Sequence, residues 1–505
     1  MTEPSRADTF IHMNARIQTV LLLLAASVAA GGCFRDPDLS SCGPEKACDQ
    51  AFPLCEEGLC FHHTFGYVVP PCSTGAGEPC CSIENGQLEK DGGCVLAEVD
   101  FAGSVLSAPV AGTDGRFFFT RRSQDGKLFL VARGAVAPGN GVAPAWEVEL
   151  LAGTGAQDGT TEGGEPEGAA GNDGGGDDGL SAGGFPPAPA VTRQGLVVVA
   201  AGGTVFAYDG DGVPWTGWPE GKINIEGELT GSIAACDSGA VAWTTTEAVW
   251  QVLPGKEPAS LPLEIGPLPE GLGVLRHEGT GRLVVPTGSG ARVVGVVPVG
   301  NSGLLAKDEK LDLGEQELPG GVLGLALDRE GFSYVLTYKG VLRSLPLAEG
   351  ALANSAWVVE AAAGVPVAGP VLQEPGVALM SLKKGGIYQA VEESPGDVEL
   401  VRSGPVLEQL VALRLGGFAG VVPGEGTVSF VVDSGASLLE EGKEGSFDRI
   451  DWAAECKNPS MSLPSAQGVV AATCGSSLRL LVAPEYPSPE FDWPGPRGWG
   501  NSGCR

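Results

Sequence analysis

What most constrains this chain is a glycine-opened hairpin unit that recurs from about residue 100 to the C-terminus. Each unit starts at a Gly, runs through apolar or β-branched residues, turns, and enters a second strand-like run. GLVVVAAGGTVFAYDGDG from Gly195 and GFSYVLTYKGVLRSLPLAEG from Gly331 show the form. Six further units open at Gly115, Gly239, Gly281, Gly376, Gly417 and Gly468, giving successive intervals of 80, 44, 42, 50, 45, 41 and 51 residues. Alternating apolar positions, β-branched content and frequent Gly and Pro exclude helical repeats of similar length. Two strands per unit, with room for two more, is the signature of β-propeller blades. One four-stranded blade cannot cover both its faces, whereas stacking around an axis covers them and leaves only short edges. The expected fold is therefore all-β, a propeller of about eight four-stranded blades, with seven as the alternative count. The one long interval holds a Gly/Asp/Glu-rich stretch, 153–184, which reads as a loop inserted between blades.

The first 98 residues read differently. Arg6 and Arg16 precede an apolar run, VLLLLAASVAA, from Val20 to Ala30. About 11 residues are too few to span a bilayer and suit the core of a signal peptide. The ending Ala30-Gly31-Gly32-Cys33 resembles a bacterial lipobox. That resemblance implies a signal peptide over 1–32 and lipidation at Cys33, with membrane attachment through lipid alone. Phe34 stands where such lipoproteins carry the Asp that retains them at the inner membrane. The expected location is the outer membrane, facing the periplasm or the cell surface.

Of the 13 cysteines, 12 remain once Cys33 is set aside. Eight lie close together (Cys42, Cys48, Cys55, Cys60, Cys72, Cys80, Cys81 and Cys94) and four lie downstream (Cys236, Cys456, Cys474 and Cys504). Two even sets suit an oxidising compartment, and all twelve are disulfide candidates. Residues 33–98 read as a small disulfide-stapled module, since so short a segment cannot build a sufficient core. Zinc at Cys60, His62 and His63 is the poorer reading, because no paired C-x₂-C accompanies them. Downstream, Cys456 with Cys474 is the pairing that strand spacing favours. The propeller is assigned to 99–505.

Within that span, residues 186–219 resemble a blade of the pyrroloquinoline-quinone-like (PQQ-like) propeller superfamily. The features are the Pro-Ala-Val start, the Gly-opened strand, Ala207-Tyr208-Asp209-Gly210, and Gly217-Trp218-Pro219. The end of the chain, with Trp493-Pro494, Arg497-Gly498 and Asn501-Ser502-Gly503, is similar to the tail that closes many of these chains. The superfamily holds enzymes and scaffolds alike. Its enzymes grip the quinone against a vicinal disulfide, with calcium and a catalytic Asp beside it. Here the adjacent pair Cys80-Cys81 lies in the Cys-rich module, and the Trp docking motif is confined to Trp215 and Trp218. The resemblance thus implies the fold more than the quinone chemistry.

Charge and composition narrow the function further. There are 62 Asp+Glu against 31 Lys+Arg, a formal net charge of −31. Such a surface repels phosphate, so nucleic acid is not an expected partner. Four His leave no Ser-His-Asp set, and His277, alone in the propeller, reads as a strand-end cap. Asp209 and Asp211 in DGDG are calcium candidates by ligand type, but Asp-Gly is first of all hairpin-turn chemistry. Asn172, Asp173, Asp177 and Asp178 form a single calcium-repeat-like copy, and such repeats work in tandem. No catalytic residue and no cofactor are assigned. The expected function is a non-enzymatic cell-envelope scaffold that binds a protein or glycan. A PQQ-dependent dehydrogenase using calcium is the first alternative, and a polysaccharide-active enzyme the second.

Overall fold

The computed structural model describes most of residues 95–505 and two short hairpins upstream. Outside it fall 1–53, most of 57–94, 135–143, 152–185, 310–320, 434–446, 483–492 and shorter loop segments. Cys33, Cys42, Cys48, Cys72, Cys80, Cys81, Cys94 and Cys456 lie outside the described residues, as does the insertion 153–184. The chain divides into two units, residues 1–66 with 85–87 and residues 67–84 with 88–505. In the first, Leu54–Glu56 pairs antiparallel with Leu59–Phe61 and sets Cys55 opposite Cys60.

The second unit is a ring of eight antiparallel sheets, seven of four strands and one of five. Blade 1 has a split inner strand, Val105–Leu106 and Val110–Ala111, followed by Phe117–Arg122, Leu128–Arg133 and Pro144–Leu151. Blades 2 to 7 are consecutive. Their inner strands are Ala190–Val191, Ala234–Ala235, Leu275–His277, Val322–Leu327, Pro366–Glu374 and Glu408–Ala412. Blade 8 takes Ser460–Met461, Val469–Cys474 and Ser477–Val482 from the end of the chain, and its outer strand, Val95–Asp100, from the beginning. Inner strands touch their neighbours from blade 1 to blade 7; Phe418–Val422 of blade 7 then meets Ser460–Met461 of blade 8, and Val469–Cys474 meets Val110–Ala111 to close the circle. Of the two counts left open by the repeats, eight blades make the ring.

The repeat arithmetic follows from the local geometry. Gly115, Gly195, Gly239, Gly281, Gly331 and Gly376 all have φ between +65° and +89°. A side chain at that φ is strained, so in these six blades glycine marks the turn from the inner strand into the second. What the sequence reads as a two-strand unit is the second and third strand of a blade. The inner strands are largely buried, with Glu374 and Glu408 exposed at strand ends, and in three blades they are only two residues long.

Closure at the seam is built from both chain ends. Leu478 pairs with Val99 and Arg479 with Glu98, and the Arg479 guanidinium lies 3.1 Å from the Glu98 carboxylate. Behind them Leu106, Phe117 and Phe119 of blade 1 pack with Val469, Leu478 and Leu480 of blade 8. Each such buried side chain contributes roughly 1.5–3 kcal/mol relative to exposure. The strand Val95–Asp100 crosses the 98/99 boundary drawn from sequence, so the propeller begins inside what reads as the Cys-rich module.

Blades 5 and 6 are stitched by a buried polar chain. Asp328 accepts hydrogen bonds from the Glu330 and Phe332 amides and from the Tyr334 hydroxyl, whose oxygen accepts the Gly376 amide at 2.9 Å. Tyr334→Phe would leave a buried carboxylate oxygen and a buried amide without these partners, an expected loss of about 1–3 kcal/mol. Chemical denaturation checks this, with an unchanged m-value expected.

Candidate functional site

The largest concavity of a propeller is its axis, where the inner strands converge. At one end of this ring the axis is filled by the chain's own C-terminus. The segment Trp493–Arg505 arrives at blade 6, where Trp493 and Leu372 exchange backbone hydrogen bonds of 2.8 and 2.9 Å. The Ala412 amide of blade 7 donates to the Pro494 carbonyl at 2.7 Å. A few residues later the tail is on the far side of the ring. The Ala235 amide of blade 3 donates to Ser502, and Arg276 of blade 4 bonds both Gly503 and Arg505. Blades 7 and 3 are diametrically opposed among eight, so the tail crosses the axis.

The sequence explains this path. Pro494 lacks an amide donor and holds φ near −65°, which favours an extended rather than a helical path. Gly498 takes φ +72°, and a Cβ there would sit 2.9 Å from the Trp493 ring. Trp493 is 1% exposed and packs with Leu275, Val322, Leu325 and Leu372 from blades 4, 5 and 6. Arg497 is buried on the axis, its Nη2 donating to the Ile233 and Val274 carbonyls. Its Nε and Nη1 have no hydrogen-bond partner. Burial pushes the guanidinium down to about 9, which leaves it cationic at neutral pH.

The far end of the tail is locked covalently. Cys504 forms a disulfide with Cys236 at the end of the blade 3 inner strand, their Cα atoms 5.2 Å apart. The Glu278 carboxylate lies beside the two sulfurs. Bonded to each other, these sulfurs offer no thiolate to a metal ion. Glu278 instead accepts the Ser238 hydroxyl and lies 3.4 Å from Arg276 Nη1. Cys474 is disulfide-bonded as well.

The remaining candidates are spoken for by local structure. Asp209 accepts the Asp211 and Val213 amides, both at 2.9 Å, in its own turn. Asp211 pairs with Arg116 across the seam between blades 1 and 2, at 3.0 Å. His277 is buried, and its Nδ1 accepts the Thr280 amide at 3.0 Å, capping the turn after the inner strand of blade 4. Trp215 and Trp218 pack edge to face at 5.5 Å and join a core cluster with Trp243 of blade 3. The Gly-Trp-Pro motif thus docks one blade on the next. Between blades 1 and 2 a cleft of about 250 Å³ is lined by Arg116, Phe118, Arg193, Gln194 and Asp211 among glycines. Among the described residues no nucleophile–base pair assembles there.

The opposite face carries the turns between second and third strands and the connections between blades. Among the described connections there, exposed Glu226 and Glu264 precede blades 3 and 4, and Gly364, Val365 and 404–407 precede blades 6 and 7 without charge. The turns of blades 5 and 6 beside them hold Lys339, Lys383 and Lys384, all exposed, next to exposed Tyr338 and Val365.

No protein-family model matches the chain, and no curated protein matches it. Its likeness is to solved propellers. BamB from Moraxella catarrhalis aligns over 77% of this chain and 96% of its own, at 10% identity and TM-score 0.45. The C-terminal WD40 domain of Sif2 aligns over 77% and 99%, at 9% identity and TM-score 0.48. Virginiamycin B lyase from Staphylococcus aureus aligns over 76% and 98%, at 7% identity and TM-score 0.39.

Proposed function

We propose that this chain is a non-catalytic cell-envelope scaffold whose propeller presents a face to a protein or glycan partner. The observation that carries the reading is the tail across the axis. It occupies, with buried Trp493 and Arg497, the place where eight inner strands converge and where a substrate pocket would be deepest. The cleft between blades 1 and 2, at about 250 Å³, is below the size of ordinary small-molecule sites. The described surface of the opposite face is broad, which suits macromolecules. A signal peptide over 1–32 and a lipid on Cys33 would hold the propeller at the outer membrane, with the Cys-rich module as spacer. This reading assigns no cofactor.

The test has two arms. Palmitate labelling is expected in the native chain and lost in Cys33→Ser, with release of soluble protein; labelling that persists removes the anchor from the account. An envelope pull-down with the chain from Phe34 onward is expected to give a stoichiometric partner. No partner, together with a several-degree stabilisation by quinone plus calcium, would replace the scaffold with a dehydrogenase.

A further inference from the structure

The tail that crosses the axis carries a positive charge into the interior with no negative one beside it. Arg276 and Arg479, both buried, each meet a carboxylate, Glu278 at 3.4 Å and Glu98 at 3.1 Å. Arg497, 4% exposed, meets none among the described residues. Burial alone lowers its pKa, and no carboxylate acts against that fall. Its Nη2 donates to the Ile233 and Val274 carbonyls, which are neutral dipoles, while Nε and Nη1 have no partner. The indole Nε1 of Trp493, at the start of the same segment, has none either. Among the described residues of Trp493–Arg505, every orphaned buried side-chain atom is thus a donor.

We propose that Arg497 holds a small free anion, of the halide class, on the propeller axis. Charge is the first argument. A buried guanidinium whose partners are carbonyls is left uncompensated, and buried charges in proteins are otherwise paired. Water would accept from its N–H groups without neutralising the charge, whereas an anion does both. Access is the second argument. Nε and Nη1 are sealed from solvent, so a carboxylate tethered to a partner's chain does not reach them. A free ion is enclosed as the tail closes over the axis. A monatomic ion also asks least of a close-packed interior, where voids larger than a water molecule are few. Held there, it would tie Arg497 to the converging strands and add to the closure made by the Cys236–Cys504 bond at the end of the tail. The site stands independently of what the outer face binds.

The test uses the full chain with its disulfides intact. The midpoint of thermal unfolding is followed as sodium gluconate is exchanged for sodium chloride or bromide at constant ionic strength. A ligand bound by the folded state alone raises the midpoint, here by about 3 °C once its concentration reaches about a hundred times its Kd. Arg497→Met, which keeps much of the side chain's length and removes the charge, is expected to abolish the halide dependence. Lys339→Met, at an exposed turn, is expected to leave it unchanged. A second measurement needs no variant: crystals of the native chain grown in bromide are expected to show an anomalous peak beside Arg497 Nε or Nη1. Midpoints that coincide in halide and gluconate overturn the proposal. So does a halide dependence that survives Arg497→Met, or an anomalous map with no peak at that guanidinium.

Discussion

Replacing Cys236 and Cys504 together by serine lowers the midpoint of thermal unfolding by about 6 °C. The bond closes a loop of sequence separation 268. In the chain-entropy account, removing such a loop constraint costs about 5 kcal/mol, because the unfolded chain regains that freedom. Spread over the unfolding entropy of a roughly 400-residue propeller, this gives a shift of that size. The remaining tail contacts keep the fold, since four blades still hold the segment through its backbone. Differential scanning calorimetry of the double variant under non-reducing conditions checks the figure. An unchanged midpoint would mean that the tail is held by its hydrogen bonds and packing alone. Reduction of the native chain should lower the midpoint at least as far, because Cys474 is also disulfide-bonded and opens with it.

Trp493→Ala is the second large effect, an expected loss of about 3–5 kcal/mol. Its ring is 1% exposed and is the wedge between the inner strands of blades 4, 5 and 6. Truncation there leaves a cavity that the surrounding hydrogen-bonded strands cannot close. The same variant should let protease cut within 493–505 in otherwise folded protein, because the tail loses its anchor at blades 6 and 7. Combined with the two serine substitutions, the losses should be non-additive by at least about 0.5 kcal/mol, since both changes act on one segment. Strict additivity would say that the two halves of the tail are held independently.

How far these features were legible in the sequence depends on their range. The second and third strands of each blade were visible, because a Gly at positive φ opens a run long enough to show its pattern. The inner strands were not. Ala190–Val191, Ala234–Ala235 and Ser460–Met461 are too short for any periodicity to register. The outer strand of blade 8 was missed for a different reason: it lies at Val95–Asp100, some 375 residues from its partner, and no local signal announces a pairing at that distance. The spacing that favours Cys456 with Cys474 reaches a residue outside the described ones, although Cys474 is disulfide-bonded; Cys236–Cys504 joins residues that only the ring brings together. The tail motif Trp-Pro…Arg-Gly was recognised by resemblance, but its route across the axis follows from the positions of Leu372, Ala412, Ala235 and Arg276 in three dimensions. Asp209 and Asp211 show the reverse case. Their chemistry allowed calcium, and the structure shows one closing its own turn and the other paired with Arg116.

The most direct measurement is disulfide mapping of the native chain by non-reducing proteolysis and mass spectrometry. The tail across the axis predicts a cross-linked peptide pair containing Cys236 and Cys504. A free Cys504, or Cys504 bridged to Cys456 or to a cysteine of the N-terminal module, would place the C-terminus elsewhere. The axis would then be open, and the case for a non-catalytic scaffold would lose the observation that carries it.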